Sequence, residues 1–182
     1  MKPPERIETK RLILRIPHMD DAPVIFERYT QDVEVTRYLV WRPHKDVKES
    51  FVIIDLILKL WEEGEAYSYA ITLKDLDTVI GMLALHPEKF KVGLGYVLAR
   101  DSWGKGYMTE AVRAMVNWLM AQPDVYRVFA VCDAENISSA RGMEKAGMTR
   151  EGLLRRYIVH PNISDEPRDC YMYAVVKQVN VV

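Results

Sequence analysis

The chain is poor in the residues that hold disulfides and metals. Its 182 residues include two cysteines, Cys132 and Cys170, far apart and each in an apolar, strand-like run. With no Cys-x-x-Cys pair, they read as buried, reduced thiols in a reducing compartment; a disulfide or a catalytic thiol is the alternative. The four histidines, His18, His44, His86 and His160, are scattered. No His-x-x-x-His pair occurs, so no metal site is expected. Neither charge is in excess: Lys and Arg number 25 against 26 Asp and Glu, a formal net charge of −1. That argues against a nucleic-acid binder held mainly by charge. The greasiest run, residues 51–60, is broken by Asp55 and Lys59 and is too short to span a bilayer. Met1–Arg6 holds no apolar signal core. Repeats, low-complexity segments and linkers are also missing. These absences leave one soluble, cytoplasmic domain over 1–182, with no nucleic-acid or membrane partner.

What the chain does have is clear periodicity. Leu12, Leu14 and Ile16 alternate with Arg11, Ile13 and Arg15, a half-buried strand that Pro17 ends. Asp20-Asp21 opens a short helix to about Tyr29, with acids in its first turn. Residues 32–45, with Trp41 and Pro43, read as irregular. Val47, Phe51, Ile54, Leu58 and Trp61 recur at helical spacing from about Asp46 to Glu63, and Gly64 is a stop. Val52, Ile53, Leu56, Ile57 and Leu60 widen that apolar arc beyond one core face. A homodimer contact or a substrate wall could use the surplus; complete burial is the alternative.

Strands are expected over 66–73 and 78–86, joined by a turn at Lys74–Asp77, with another turn over 87–91. A strand over 92–99 precedes a helix from near Met108, whose Met108, Ala111, Val112, Met115 and Leu119 share one side. There follow a strand over 126–132, a helix over 136–146 with Gly147 just past its end, and a strand over 149–159. A polar loop over 160–167 leads to a last strand over 169–176. This order implies an α/β (α+β) fold with one mixed sheet and helices on both faces.

Residues 95–118, GYVLARDSWGKGYMTEAVRAMVNW, are the most informative stretch. An apolar strand stops at Arg100-Asp101, a glycine-bearing loop follows, and an amphipathic helix begins. The first N–H groups of a helix have no partner inside it and carry partial positive charge, so such an end holds phosphate well. Gly104 and Gly106 lack a Cβ, so phosphates can approach the backbone. The segment reads as a pyrophosphate seat. It is not a Walker loop, because Lys105 stands between the glycines, and it lacks the third small residue of a dinucleotide fingerprint.

Asp101-Ser102-Trp103-Gly104-Lys105-Gly106 resembles the acyl-coenzyme A loop of the GNAT superfamily of N-acetyltransferases, Gln/Arg-x-x-Gly-x-Gly/Ala, with Asp101 departing from the usual first residue. The Trp-Gly-Lys-Gly-Tyr-x-Thr-Glu-Ala string resembles the branch with the ribosomal-protein N-terminal (alanine/serine) acetyltransferases. Residues 136–148, NISSARGMEKAGM, resemble that branch's Asn-x-x-Ser…Lys-x-Gly-Phe block, with Met148 for Phe. Glu8–Arg15 looks like the family's first strand, and Arg168-Asp169 before 170–174 like its last.

The resemblance implies the GNAT fold, a mostly antiparallel sheet of about seven strands, and acetyl transfer from acetyl-CoA to a primary amine without a metal. Two parallel strands, over 92–99 and 126–132, would splay to admit the pantetheine arm. Backbone groups of Tyr96, Val97 and Leu98 would pair with it, and amides of Trp103, Gly104, Lys105, Gly106, Tyr107 and Met108 would hold the pyrophosphate. Lys105 could add charge there, and Arg100, Arg141 and Lys145 could reach the 3′-phosphate; each also reads as a surface charge. Asn136 would cap its helix and bond the pantetheine arm or sulfur end. The tyrosine that relatives place seven residues after this asparagine is Met143 here, so Ser139 is the expected hydrogen-bond donor to the departing sulfur.

The base is less defined. The strand glutamate of many relatives is replaced, with Gly93 in its place. Glu110, His86 or a water chain to solvent remain, and Asp169 could orient substrate or pair with an arginine. Trp41, Trp61 and Tyr67 could line an acceptor groove, and Asp20-Asp21 or Glu62-Glu63-Glu65 could attract a cationic acceptor; core and solvated surface are the alternatives. The acceptor is expected to be a protein N-terminal amine or a small amine. A non-catalytic acyl-CoA sensor and an ATP- or NAD-binding protein are the rival readings.

Overall fold

The computed structural model describes residues 2–178. Its elements are β1 (Arg6–Glu8), β2 (Leu12–Arg15), α1 (Asp21–Ile25), α2 (Val33–Thr36), α3 (Val47–Glu63), β3 (Tyr67–Leu73), β4 (Val79–Glu88), β5 (Lys91–Leu98), α4 (Tyr107–Met120), β6 (Arg127–Asp133), α5 (Ile137–Lys145), β7 (Thr149–Val159) and β8 (Pro167–Val176). A π-helical turn, Phe26–Thr30, extends α1. The strands form one eight-stranded sheet in the order β1-β2-β3-β4-β5-β6-β8-β7. Only β5 and β6 pair in parallel; the other neighbours are antiparallel. The strand beyond the expected seven is β1, three residues that are too short to show a period and exist by pairing with β2.

Both faces of the sheet centre are covered, since Tyr69, Ala70 and Ile71 are all fully buried in β3. In β2, Ile13 is buried with Leu12 and Leu14, so the expected half-exposed strand is an interior one. The long helix starts and stops where its residues say. Asp46 accepts the N–H of Lys48, and Gly64 adopts a left-handed φ of 75° that suits glycine. Ile54, Ile57 and Trp61 face the core, where Trp61 packs edge-on against Tyr67 and Tyr69. Trp61 and Tyr67 are thus core rather than acceptor groove. The surplus arc is exposed at Phe51, Val52 and Leu56.

Two prolines lie inside strands where loops are expected. β4 runs through Pro87 to Glu88, so the turn shrinks to Lys89-Phe90. Proline is tolerated because β3 stops pairing at Leu85, and the register turns the missing N–H of Pro87 to that unpaired edge. Pro167 is the first residue of β8, another permitted place.

Asp21 is not a surface acid. Its carboxylate takes both guanidinium nitrogens of Arg15 at 2.8 Å and the His18 N–H at 2.7 Å. Burial alone would raise its pKa, but these bonds outweigh burial and hold it below the usual carboxylate range. A carboxylate with a lowered folded-state pKa contributes stability above its unfolded pKa of about 3.9, and that contribution is lost as pH falls through the folded value. Asp21→Asn leaves the buried Arg15 with only the exposed Asp77, 3.5 Å from its Nε, as a charge partner. It is expected to cost about 3–5 kcal/mol in urea unfolding at pH 7, with the difference from the parent shrinking in acid.

Candidate active site

β5 and β6 pair from Lys91↔Arg127 to Leu94↔Ala130 and then separate. Each continues on its outer side, β5 with β4 to Leu98 and β6 with β8 to Asp133. A wedge therefore opens between 95–98 and 131–133. The Ala99 N–H donates to Ile80 at 2.8 Å, and Leu98 lies opposite Gly81. Backbone groups alternate sides along a strand. The N–H and C=O of Val97 therefore turn to β4, whereas those of Tyr96 and Leu98 turn into the wedge. The Leu98 carbonyl already accepts the Trp103 indole N–H at 2.7 Å.

The wedge leads to the glycine loop. Arg100–Ser102 forms a 3₁₀ turn in which the Ser102 and Trp103 N–H groups are used, donating to Ala99 and Arg100. Gly104 and Gly106 follow with φ of 73° and 76°. These left-handed residues turn the chain into α4, and an L side chain there would be strained. Among the described residues, the N–H groups of Gly104, Lys105, Gly106, Tyr107, Met108 and Thr109 have no protein acceptor; the first bond into the helix is Glu110 N–H to Gly106 at 3.1 Å. Gly104, Lys105 and Gly106 are exposed. Of the expected amide donors, the Trp103 N–H is already bonded within the turn, and the Thr109 N–H is bare as well.

At the other side of the wedge, the Asn136 side-chain oxygen accepts the Ser139 N–H at 3.2 Å and caps α5. Ser139 Oγ lies 2.8 Å from the phenol oxygen of Tyr96. Burial pushes the Cys132 thiol up to about 11 and the Tyr96 phenol above its ordinary range. Met143 is fully buried in the core. Tyr96 was expected to contribute its backbone only. Its side-chain contact spans 43 positions in sequence, and no local signal points to it.

Several candidate charges have other partners. Glu110 accepts from Thr9 Oγ1 at 2.6 Å, the Arg11 N–H at 2.8 Å and Arg11 Nε at 2.7 Å. Burial raises its pKa, the three bonds lower it, and the net is a carboxyl below its usual range. Arg100 is paired with Asp32, Asp101 with Arg28, and Asp169 accepts the Arg156 N–H at 2.9 Å. Arg141, Lys145 and the Glu62-Glu63-Glu65 cluster are exposed. Trp41 stacks near His44, with ring centroids 5.3 Å apart. A Cβ on Gly93 would stand 3.1 Å from the Phe129 ring, so Phe129 closes the place of the strand glutamate. His86 lies opposite Gly93, and partial burial of its ring lowers its pKa.

Residues 11–149 match the family model described as an acetyltransferase (GNAT) domain. The chain belongs to the GNAT acetyltransferase family. It is 32% identical to the uncharacterized N-acetyltransferase p20 of Bacillus licheniformis, over 96% of this chain and 97% of that one. It is 22% identical to the [ribosomal protein uS5]-alanine N-acetyltransferase of Escherichia coli, over 86% and 84%. The fold matches the crystal structure of the microcin C7 self-immunity acetyltransferase MccE in complex with acetyl-CoA and AMP. There the TM-score is 0.86 at 19% identity, covering 97% of this chain and 98% of that one.

This acetyltransferase is an enzyme that takes its acetyl group from acetyl-CoA, and its residues fit that cosubstrate. A row of bare N–H donors at a helix entry suits a diphosphate. The inward backbone groups of Tyr96 and the Leu98 N–H, left unpaired among the described residues, suit an arm that carries amides. No group of three or more His, Cys, Asp or Glu among the described residues is placed to hold a metal. No described helix is long and apolar enough to cross a membrane. No neighbouring protein atom lies within 4 Å of the Cβ position on Gly104, so a side chain there would stand in open space. Gly104→Val is expected to weaken acetyl-CoA binding at least about tenfold by calorimetry, since its backbone strain alone is of order 1–3 kcal/mol. Unchanged affinity would place the pyrophosphate elsewhere.

Proposed function

We propose that this acetyltransferase passes the acetyl group directly to the α-amine of a protein N-terminus. The observation that carries the proposal is that both carboxylate positions where a base was expected are closed: Glu110 is committed to Arg11 and Thr9, and Phe129 covers Gly93. We assign Glu110 to anchoring the β1–β2 turn on α4, not to catalysis. An α-amine has a pKa of about 8, so about one molecule in ten is already unprotonated at pH 7; for a lysine amine near 10.4 the fraction is about one in 2,500. A site without a strong base is therefore better matched to the α-amine. Its proton leaves through water.

Other features support the reading. A cleft of about 420 Å³ opens just past β6, and its Glu135, Glu166 and Asp169 outnumber Arg156 and Arg168. That surplus suits a cationic acceptor. The Escherichia coli relative is named for an alanine of ribosomal protein uS5, which is compatible with a protein acceptor. In this reading Asn136 holds the arm near the thioester and Ser139 donates to the sulfur as it leaves. Positioning supplies most of the acceleration, which can approach 7–11 kcal/mol for ideal placement.

Coenzyme A release should be followed over a panel of peptides with free N-termini and of small amines. Peptides are expected to be preferred, with kcat/KM rising to a plateau near pH 8, where the α-amine deprotonates. Turnover of polyamines or aminoglycosides alone would defeat the acceptor assignment. Tight acetyl-CoA binding with no turnover on any amine would favour a sensor. A rising limb below about pH 6.5 that moves in His86→Ala would assign the base to His86. Ser139→Ala is expected to lower kcat by about ten- to a hundredfold, within the range for a lost hydrogen bond to a charged group, with little change in acetyl-CoA affinity.

A further inference from the structure

We propose that Tyr96 is a positioning residue: its hydroxyl donates to Ser139 Oγ and so aims the one Ser139 hydrogen at the sulfur of acetyl-CoA. The inference rests on the reading above that the thioester lies in the wedge beside Ser139.

Tyr96 stands two residues past the last β5–β6 pair, at the point where the wedge opens. By register its side chain shares a sheet face with Leu94, Ala130 and Tyr173, and Tyr173 reaches α5 through a 3.0 Å bond to Glu144. Tyr96 reaches the same helix at Ser139, 2.8 Å away. Each hydroxyl carries one hydrogen and can also accept. If Ser139 donated to Tyr96, nothing of Ser139 would be left for a sulfur. Phenol to serine to sulfur is then a directed series, with the thioester sulfur as last acceptor. Met143 supplies no donor from the helix, and a strand tyrosine arrives in its stead.

The groups that face Tyr96 are Ser139 on α5 and Cys132 and Tyr173 on β6 and β8. Burial keeps Cys132 and Tyr173 protonated at neutral pH, pushing them up to about 11 and about 12, and it keeps Tyr96 a donor as well. No proton leaves Tyr96 or Ser139. The amine nitrogen bonds to the acetyl carbon, the carbon–sulfur bond breaks with its electron pair on sulfur, and the ammonium proton passes to water. The two hydroxyls stabilise the thiolate by hydrogen bonding alone.

The decisive measurement is the thiol titration of bound coenzyme A, followed by ultraviolet absorbance of the thiolate against a desulfo-coenzyme A control. The bound thiol is expected to titrate at higher pH in Tyr96→Phe and Ser139→Ala than in the parent. A ring-fluorinated tyrosine at position 96, a stronger donor of the same shape, should move it lower. In turnover, Tyr96→Phe should lower kcat about tenfold with KM for acetyl-CoA within about twofold, and the double variant should be no slower than Ser139→Ala, because the two hydroxyls act as one unit. An unshifted titration in both position-96 variants, or single effects that multiply in the double variant, overturns the role of Tyr96. A parent that binds coenzyme A but acetylates no amine defeats the proposed function, and the titration still decides the role of Tyr96. A parent that does not bind coenzyme A defeats both.

Discussion

The structure depends on two neighbouring strands being held apart by their outer partners. β5 is tied to β4 as far as Leu98 and Ala99, and β6 to β8 as far as Asp133, so neither can swing inward to complete the parallel ladder. Unpaired backbone groups in a sheet interior are costly unless something else bonds them. An open wedge therefore leaves backbone groups for a ligand to bond, and the outer partners of the two strands fix where it lies. The glycine loop continues from one strand of the wedge and the Asn136-capped helix from the other. The bare helix-entry amides and the Ser139 hydroxyl come to one opening because both strands feed it.

The ion pairs around this opening are structural. Glu110 locks the β1–β2 turn to α4 through Arg11, which also bonds the Lys105 carbonyl in the glycine loop. Arg28 and Arg100 tie the 3₁₀ turn to the first helices through Asp101 and Asp32. These pairs stiffen the entry to α4 and leave its N–H groups free. Charge holds the frame and leaves neutral backbone donors bare at the helix entry. Such a site works by placing reactants and by hydrogen bonding to developing charge, which suits an acceptor that sheds its own proton near neutral pH.

Long, periodic elements were legible. The α3 helix, its Asp46 cap and its Gly64 stop follow from spacing and end chemistry, and β7 falls on the expected residues 149–159. The glycine turn and the Asn136 cap were legible too, because their geometry is set within a few residues of the motif. Features set by partners far along the chain were not. Pro87 and Pro167 read as breakers, yet the register gives each a place where no N–H is needed. Glu110 and Asp21 look like ordinary first-turn acids; only packing shows that their charges are already taken.

The amino-acid sequence alone determined the family, the mixed sheet and the turn that bares the helix-entry amides. Those rest on local steric and hydrogen-bonding rules that act over a few residues. Tertiary structure decided which of those groups face the opening. It turned the backbone of Val97 away, used the amide of Trp103 inside a turn, and set a strand tyrosine against a helix serine. Strand register and the rotation of one element on another fix such contacts, and neither is encoded in any short stretch of chain.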